Sequence, residues 1–392
     1  MSAALSGDPV LCELLRREIR ARGPIPFSRF QSVALYDAER GYYSRGAGIG
    51  RAGADFLTAA ETTPEFGALI GVQIEEMHAR LGAPAEFAVV EYGPGEAGLM
   101  AGMLAAWRAR GSPLYRSGAC RLVEPSPVLA GRQRLRLAEH GPVVTWPVPD
   151  EAGPAATTGD AAPAGVLIMN EVLDALPVDR VRQGDGGLEE IRVGLDGERF
   201  IEVCVPAPAE LRDELEACLR PDGGALEPGQ EAEVRTGLAP FLAAAGRRIG
   251  AGYLLVIDYA LEPRALYAPW RAQGTLLAYH RHRATSSVLE RVGEQDLTAH
   301  VDLGALRRAA AAAGFEEAGQ VSQMSFLLAL GLADRIEALE AESGLSEVER
   351  LRRRLDLTAL IRPGGMGDLF RVWIGARRAA GALRGLRSPR PA

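Results

Sequence analysis

The stretch that decides the fold reads Ala88-Val-Val-Glu-Tyr-Gly-Pro-Gly-Glu-Ala-Gly98, and Leu99-Met-Ala-Gly-Met-Leu-Ala-Ala-Trp107 follows it at helical spacing. A short apolar run ends in the acid Glu91, and a Gly-x-Gly-x-x-Gly turn then leads into the helix. Such glycines let the backbone approach a nucleotide-type ligand closely. The pattern predicts a strand, a tight turn and a helix. By itself it leaves cofactor binding and simple tight packing equally open.

Two further apolar strand patterns end in polar residues. One ends at Glu124, and the other runs into Asn170, Glu171 and Asp174. In a doubly wound sheet, ligands bind at the carboxyl ends of the strands, and an acid after the second strand takes ribose hydroxyls. We therefore expect Glu124 to bind a ribose and the other three residues to lie at the same edge. Turn or cap chemistry is the alternative for Asn170 and Asp174.

The turn carries negative charge, because Glu91 and Glu96 flank it. A dinucleotide normally places its pyrophosphate on the helix N-terminus that follows such a turn. A ligand that is cationic and has no phosphate fits these acids better. S-adenosylmethionine has a sulfonium and no phosphate, so the residues favour it over NAD.

The composition is that of a globular protein, with 392 residues, 47% hydrophobic and 24% charged residues, and a net charge of −7. The negative charge argues against nucleic acid or an anionic membrane as a partner. No apolar run approaches the ~20 residues that span a bilayer. Nothing at the N-terminus has the pattern of a targeting segment, so we expect a cytoplasmic protein.

Residue types that are missing exclude several chemistries. All 44 basic residues are arginine, so there is no lysine for a P-loop, a kinase site or a Schiff base. The four cysteines are widely spaced, and the five histidines show no H-E-x-x-H pattern. We therefore expect no metal site.

The remaining pattern predicts an α/β chain. Capping residues predict a helix from Pro9 that stops at Gly23, and another from Pro64 to about Leu81. Residues 87–146 alternate strand and helix, which predicts a parallel, doubly wound sheet. The later elements are a loop over 150–165, antiparallel hairpins over 181–205, helices near 210–219 and 231–248, a strand over 252–259, a helix after Asp302, a last strand over 368–374, and a disordered tail.

The chain resembles the MidA family of S-adenosylmethionine-dependent protein methyltransferases, a family that includes a mitochondrial assembly factor of respiratory complex I that methylates an arginine. The resemblance covers about Gly23 to Val372. It rests on these stretches: Gly23-Pro-Ile-Pro-Phe, Ala34-Leu-Tyr, Gly41-Tyr-Tyr, Asp55-Phe-Leu-Thr, Glu61, Phe66-Gly, Glu91-Tyr-Gly-Pro-Gly, Asn170-Glu-Val-Leu-Asp-Ala-Leu-Pro-Val, Gly293-Glu-Gln-Asp-Leu-Thr-Ala-His-Val-Asp and Met366-Gly-Asp-Leu-Phe.

The resemblance implies a class I methyltransferase (Rossmann-like) core, a doubly wound sheet with an N-terminal helical cap and an inserted α+β subdomain. We expect the divisions to be a cap and cofactor lid (1–62), the first part of the core (63–178), the insertion (179–250), the rest of the core (251–378) and a disordered tail (379–392).

Four residues depart from the family pattern. Ala97 stands where the family usually has glycine, Ala60 stands where a proline usually precedes the glutamate, and Val172 and Leu173 replace aromatic residues.

The resemblance also implies roles for individual residues at the cofactor. Gly93, Gly95 and Gly98 would lie against the methionine part, with Glu91 near its ammonium group. Asn170 would also bind the cofactor, and Glu124 would bind its ribose. Thr58 and Glu61 would close over the cofactor, although Thr58 reads equally well as a loop or cap hydroxyl.

An arginine acceptor needs carboxylates, because its guanidinium stays protonated at ordinary pH. Glu171 and Asp174 are the candidates for orienting it and taking its proton, and Asn170 would orient the nucleophile. His300 is a candidate proton acceptor between two acids. Their alternatives are structural: Glu171 and Asp174 would only pin the turn, and His300 would be a satisfied structural histidine.

The function predicted from the sequence is methylation of a protein arginine. The partner would be a protein substrate, such as a respiratory-complex subunit, and a homodimer stays open. Two alternatives keep cofactor binding: methylation of a small-molecule acceptor, and an assembly factor with weak catalysis. An NAD-dependent oxidoreductase is a further alternative, which the acids around the turn disfavour.

Overall fold

The computed structural model describes residues 7–46, 58–116, 120–147, 162–220, 224–281 and 283–387. Three predicted parts lie outside the described residues: residues 150–161 of the predicted loop over 150–165, residues 55–57 of the family stretch, and the end of the tail, 388–392. The chain groups into two compact units, each described by itself. The antiparallel unit takes the described residues of Met1–Phe56, Leu173–Phe241 and Ala260–Ala309; the parallel-sheet unit takes those of Leu57–Val172, Leu242–Tyr259 and Ala310–Ala392.

The helices are, in chain order, α1 Pro9–Arg22, α2 Phe27–Tyr36, α3 Ala59–Thr62, α4 Pro64–Arg80, α5 Gly98–Arg110, α6 Pro113–Arg116, α7 Pro127–Arg136, α8 Ala209–Leu219, α9 Leu238–Gly246, α10 Pro263–Leu266, α11 Leu303–Ala312, α12 Gln323–Ala329, α13 Leu332–Ala341, α14 Glu347–Ala359 and α15 Met366–Leu369. The strands are β1 Ile25–Pro26, β2 Phe87–Tyr92, β3 Cys120–Val123, β4 Val144–Thr145, β5 Ala164–Asn170, β6 Asp179–Gly184, β7 Gly187–Asp196, β8 Arg199–Pro206, β9 Glu231–Val234, β10 Gly252–Leu261, β11 Leu277–His280, β12 Arg283–Thr285, β13 Asp296–Thr298, β14 Val301–Asp302, β15 Glu316–Ser322 and β16 Phe370–Arg377.

The parallel-sheet unit is built on the strand order β15-β16-β10-β5-β2-β3-β4. Strands β10, β5, β2, β3 and β4 run parallel, and β16 pairs antiparallel with both β10 and β15. The chain leaves β2 toward β3 on one side and later returns to β5 on the other side. The order therefore reverses between β2 and β5, and ligands of doubly wound sheets bind at the carboxyl ends of the strands at such a switch point.

Helices α4 and α5 pack closely because glycines lie at their contact. A Cβ on Gly67 would stand 2.2 Å from the Leu99 carbonyl oxygen, and one on Gly102 would stand 2.3 Å from that of Pro64. Trp107 is fully buried here and donates its indole N–H to the Gly71 carbonyl at 3.2 Å. This contact fixes α5, and with it the turn that leads into α5 from β2.

The antiparallel unit holds the hairpins that the sequence predicts. Strands β1, β7, β6 and β9 form one sheet in that order, with β8 paired to β7, and β12-β11-β13 form another. Residues of α1 and α2 share a core with Val193 of β7 and Leu297 of β13. Capping forms α1 as predicted, because the Asp8 carboxylate accepts the N–H groups of Val10 and Leu11.

The predicted helix over 231–248 is wrong at its start. Residues Glu231–Val234 form β9, which pairs antiparallel with β6, and the helix begins only at Leu238. Pairing with a neighbouring strand overrides the local helical preference of a Glu-Ala-Glu-Val sequence. The correction matters because β9 and the residue after it organise part of the candidate site.

The tail also differs from the prediction, because residues 379–387 are ordered. Leu383 is fully buried, and the N–H groups of Arg384 and Gly385 donate to Glu76 at 2.7 Å and Gln73 at 2.8 Å on α4. One apolar anchor and two backbone hydrogen bonds, of which that of Gly385 is buried, hold this short segment in a sequence that otherwise looks polar.

Candidate functional site

The glycine turn after β2 runs through three residues in the left-handed region. Gly93 has φ 55°, Gly95 has φ 57°, and the alanine at position 97 has φ 64°. Ala97 occupies the position where the family usually has glycine, and the left-handed conformation explains that preference. Here alanine adopts the same conformation with its methyl group completely buried.

The N-terminus of α5 is capped by Glu61, which the sequence placed at the cofactor. One oxygen of Glu61 accepts the Gly98 N–H at 2.8 Å, and the other accepts from Arg136 at 2.6 Å. Arg136 also donates to the Glu96 carbonyl at 2.9 Å. A side-chain carboxylate thus occupies the position that an anionic ligand group takes at other helix N-termini. The arrangement favours a ligand without phosphate.

Gly98→Ala should lower the free energy of unfolding by about 1–3 kcal/mol or more. The reason is that the added methyl group would meet atoms that have no space to move away. The added Cβ would stand 2.2 Å from the Ala60 carbonyl oxygen and 2.4 Å from Glu61 Oε1. Gly131→Ala on α7, where a Cβ meets nothing within 4 Å, is the matched control. We expect thermal denaturation to show a lower Tm for the first variant and an equal or higher Tm for the second; equal Tm values would contradict the close packing.

Two buried acceptor atoms at the switch point lack a hydrogen-bond partner among the described residues: Glu91 Oε2 and Asn170 Oδ1. They come from the ends of β2 and β5, which are neighbours in the sheet. Burial raises the pKa of the Glu91 carboxyl to about 8; the charges of Glu61 and Glu124 act in the same direction and that of Arg136 against it. Two unsatisfied acceptors at the ends of neighbouring strands call for a donor, preferably a cation.

Glu124 lies after β3, at the position expected for ribose binding. Its oxygens accept from the Ser126 N–H at 2.8 Å and from Gln133 Nε2 at 3.0 Å. Burial raises the pKa of the Glu124 carboxyl to about 7, while these two hydrogen bonds oppose the shift. Gln133 also donates to the Gly95 carbonyl at 2.8 Å and accepts from the Trp146 indole at 2.9 Å.

The sequence reading missed Gln133 and its neighbours on α7. Arg132 donates to Glu96 at 3.0 Å, and Arg136 holds Glu61 as described above. The three residues share one face of the helix. Arg132 and Arg136 have i, i+4 spacing and follow a strand that ends in an acid, and this sequence signal could have identified them.

Glu171 follows β5 with a strained backbone, at φ 54°. Its carboxylate accepts the Asn170 side-chain amide at 3.2 Å and the Ala59 N–H at 3.3 Å, at the start of α3. The next N–H, that of Val172, donates to the buried Asp258 at 3.2 Å. Left-handed backbone in a non-glycine residue is costly and concentrates at functional sites. Thr58 is buried just before α3, and its carbonyl accepts from Thr62.

Asp174 belongs to the antiparallel unit and is buried there. Burial raises the pKa of its carboxyl to about 6, although the positive charge of Arg235 opposes the shift. Arg235 directly follows β9 and donates to the carbonyls of Asp174 at 3.0 Å, His300 at 2.7 Å and Ala299. One guanidinium therefore fixes the backbone of two predicted catalytic residues. The sequence reading missed it because it assigned this segment to a helix.

His300 has a low pKa, about 4, because burial and the charges of Arg271 and Arg235 all disfavour its protonated form. With this low pKa, the imidazole is neutral at physiological pH and is a weak base. The acids predicted beside it have defined partners: Asp296 accepts the Tyr43 hydroxyl at 2.6 Å, and Asp302 accepts that of Tyr267 at 3.0 Å. Asp302 also caps α11, as the sequence predicts.

The residues at the switch point fit S-adenosylmethionine. Its ammonium group would be a donor for the unsatisfied oxygens of Glu91 and Asn170, Glu124 would accept from its ribose hydroxyls, and it has no phosphate to compete with Glu61. In the described part of the chain no cluster of three or more His, Cys, Asp or Glu could hold a metal ion. No described helix has the length and apolarity that crossing a bilayer requires.

Comparison with known proteins agrees with this geometry. Residues 69–321 match the model of a family described as putative S-adenosyl-L-methionine-dependent methyltransferases. Similar curated proteins are named protein arginine methyltransferase NDUFAF7, mitochondrial, in Rattus norvegicus (28% identical over 92% of this chain and 83% of the relative) and its homolog in Drosophila melanogaster (28% identical, 94% and 85%). A crystal structure from Burkholderia thailandensis, described as a COG1565 superfamily member and likely methyl transferase bound to S-adenosyl-homocysteine, is 31% identical, with a TM-score of 0.83 over 96% of this chain and 94% of that one.

Fold, site chemistry and relatives together define an S-adenosylmethionine-dependent methyltransferase with a Rossmann-like α/β core. The cofactor is S-adenosyl-L-methionine. The chain belongs to the MidA-like family of these enzymes, as the sequence predicts. The relatives test the class of enzyme and its cofactor, whereas the roles assigned to single residues stay predictions.

Proposed function

We propose that this methyltransferase modifies the guanidinium group of an arginine in a protein substrate. The observation that carries the proposal is the match, over more than nine-tenths of the chain, to relatives named protein arginine methyltransferases. Two carboxylates that the sequence assigned to the acceptor support it: Glu171 on its strained backbone, and Asp174, three residues later in the chain.

The chemistry requires a base and an orienting anion. S-adenosylmethionine supplies an electrophilic methyl group. As a guanidinium nitrogen forms its bond to that carbon, the carbon–sulfur bond breaks and its electron pair stays on sulfur, and the nitrogen must lose a proton. Glu171 pairs with the guanidinium and points one nitrogen at the methyl group, with Asn170 beside it. Asp174 accepts the proton, for which its pKa of about 6 is suitable near neutral pH.

Cofactor residues complete the proposal. Glu91 and Asn170 bind the ammonium group, Glu124 binds the ribose, and Gly93, Gly95 and Gly98 let the ligand approach the turn. Thr58 and Glu61 line the cofactor from the α3 side.

A small-molecule acceptor is the second candidate, because Val172 and Leu173 replace the aromatic residues common in the family. The weak assembly factor and the cytoplasmic location stay predictions from the sequence; the curated relatives are named as mitochondrial proteins.

The test is to incubate the purified enzyme with methyl-labelled S-adenosylmethionine and a lysate of the cells that express it. Labelled proteins are then digested and sequenced by mass spectrometry. We expect methyl groups on arginine side chains of one or a few proteins, and at least about 100-fold slower labelling with Asp174→Asn. Label found only in the small-molecule fraction would replace the proposal with the second candidate, and label on lysine would contradict it.

A further inference from the structure

One buried glutamine connects two parts of the candidate cofactor site. Gln133 on α7 is completely buried, and its side-chain Nε2 donates to the Gly95 carbonyl at 2.8 Å and to Glu124 Oε2 at 3.0 Å. Gly95 lies in the turn after β2, and Glu124 directly follows β3, the neighbouring strand of the sheet. A single amide group therefore holds the glycine turn and the carboxylate at a fixed separation.

The orientation of this amide is determined by Trp146. An indole N–H can only donate a hydrogen bond, and that of Trp146 donates to Gln133 Oε1 at 2.9 Å. The oxygen of the Gln133 amide therefore faces Trp146, and the two hydrogens on its nitrogen face Gly95 and Glu124. Because every polar atom of the side chain has a partner, the amide is held in one orientation.

The carboxylate of Glu124 keeps acceptor capacity on both of its oxygens. Oε1 accepts the Ser126 N–H at 2.8 Å, and Oε2 accepts from Gln133; among the described residues each oxygen has this one donor. An ionised carboxylate has about four acceptor positions, two on each oxygen. Glu124 is only half-buried, unlike Gln133. One remaining position on each oxygen matches two neighbouring hydroxyl donors, such as the 2′- and 3′-hydroxyls of a ribose.

We propose that Gln133 is a positioning residue that presents both oxygens of Glu124 to a pair of free ribose hydroxyls, so that the enzyme selects a cofactor in which neither hydroxyl is missing or modified. The inference rests on the ribose role proposed for Glu124. A side chain that is already immobilised loses little conformational entropy when a ligand binds, so its hydrogen bonds contribute more to affinity. Gln133 acts through Glu124 and need not touch the ligand.

The test compares ligands that differ only at the ribose. S-adenosylhomocysteine and its 2′-deoxy and 3′-deoxy forms are titrated calorimetrically into the purified full chain. A hydroxyl that donates to a carboxylate should contribute about tenfold to a hundredfold to affinity, so we expect wild type to bind each deoxy form more weakly by this factor. Binding is measured without turnover, so an effect on catalysis does not enter the result.

Gln133→Met keeps the length of the side chain and removes its hydrogen bonds. We expect the ratio of the affinities for S-adenosylhomocysteine and for each deoxy form to fall about twofold to tenfold, the cost of ordering one free side chain on binding. A merely structural loss would weaken all three ligands equally and leave the ratio unchanged. Trp146→Phe, which removes the indole donor, should lower the ratio in the same direction and provides the test if Gln133→Met does not fold.

The matched control is Gln73→Met. Gln73 is also a completely buried glutamine of the parallel-sheet unit, but its side chain donates to Glu76 at 3.0 Å and accepts the Gly385 N–H at 2.8 Å. This variant should lower the Tm and leave the affinity ratio at its wild-type value.

Two results would overturn the proposal, and they are distinguishable. If wild type bound the deoxy forms as tightly as S-adenosylhomocysteine, the ribose role of Glu124 would fail together with this inference. If the ratio fell in Glu124→Gln but kept its wild-type value in Gln133→Met and Trp146→Phe, only the positioning role of Gln133 would fail. Neither result bears on the methyl acceptor, which the labelling experiment tests separately.

Discussion

Replacing Glu91 by glutamine should weaken the binding of S-adenosylmethionine about tenfold to a hundredfold, the effect of losing a hydrogen bond to a charged group. The reason is the buried Glu91 oxygen that no described residue satisfies. An ammonium group donates to a carboxylate strongly and to an amide oxygen only modestly. Since the bound cation stabilises the ionised form of Glu91, binding near pH 7 should also release a proton, and the glutamine variant should not release it.

The same substitution should stabilise the ligand-free protein. The Glu91 carboxyl has a pKa of about 8 in the folded chain, against 4.5 for its ordinary value. Between these pH values the folded state holds a proton that the unfolded state has lost, so stability falls as pH rises through this window. Glutamine does not titrate, so the variant does not lose stability in this way. The Tm of Glu91→Gln should therefore exceed that of wild type above pH 8, and the two should converge below pH 4.5.

Calorimetric titration in two buffers of different ionisation enthalpy measures affinity and proton release together, and thermal scans across pH measure stability. Glu86→Gln, at an exposed glutamate just before β2, is the control and should change neither. Unchanged affinity in Glu91→Gln would remove Glu91 from the cofactor site. Lower affinity together with lower stability at pH 8 would indicate a structural role instead.

Asp174→Asn should reduce kcat by about 100-fold to 10,000-fold, the usual contribution of a general base. The wild-type rate should fall as pH drops through about 6, because protonation of Asp174 would remove the proposed proton acceptor. Asparagine cannot titrate, so its residual activity should lack this acid limb. Affinity for S-adenosylmethionine should stay within about twofold, since the cofactor residues at the ends of β2 and β5 are untouched.

Steady-state rates from pH 5 to 9 with an arginine-containing protein substrate provide the measurement. Asp185→Asn, at an exposed aspartate in the turn between β6 and β7, is the matched control and should keep wild-type kinetics. If Asp174→Asn retained both its rate and its acid limb, the proton would have to leave by another group.

The sequence was most informative where one short segment determines its own structure. The run into Glu91, the glycines after it and the apolar spacing of α5 predict a strand, turn and helix, and all three are present. Pro and Asp or Thr at helix starts located α1 and α4. These signals are local, so no knowledge of distant partners is needed to interpret them.

The predictions were less accurate where contacts between residues distant in the sequence determine the local structure. Residues 231–234 form a strand only because β6 is available to pair with them, and Arg235 acquires its role from three carbonyls contributed by remote segments. Gln133 likewise joins Glu124 and the Gly95 carbonyl, which are separate in the chain. Hydrophobic periodicity carries no information about such polar connections, because they depend on which loops the fold brings together.

The hydrogen bond from Trp146 to Gln133 makes Trp146 an intrinsic fluorescent probe in this enzyme. Gln133 connects the indole directly to Glu124 and to the Gly95 carbonyl, and the Arg134 guanidinium lies 5.0 Å from the indole ring centre. If the ribose binds at Glu124 as proposed, it should shift this small network, and the emission of Trp146 should shift with it. Trp107 and Trp373 are buried in the core and supply a constant background, and the emission of Trp270, which is 78% exposed, can be removed with Trp270→Phe. Occupancy should therefore be measurable by fluorescence on the unlabelled chain.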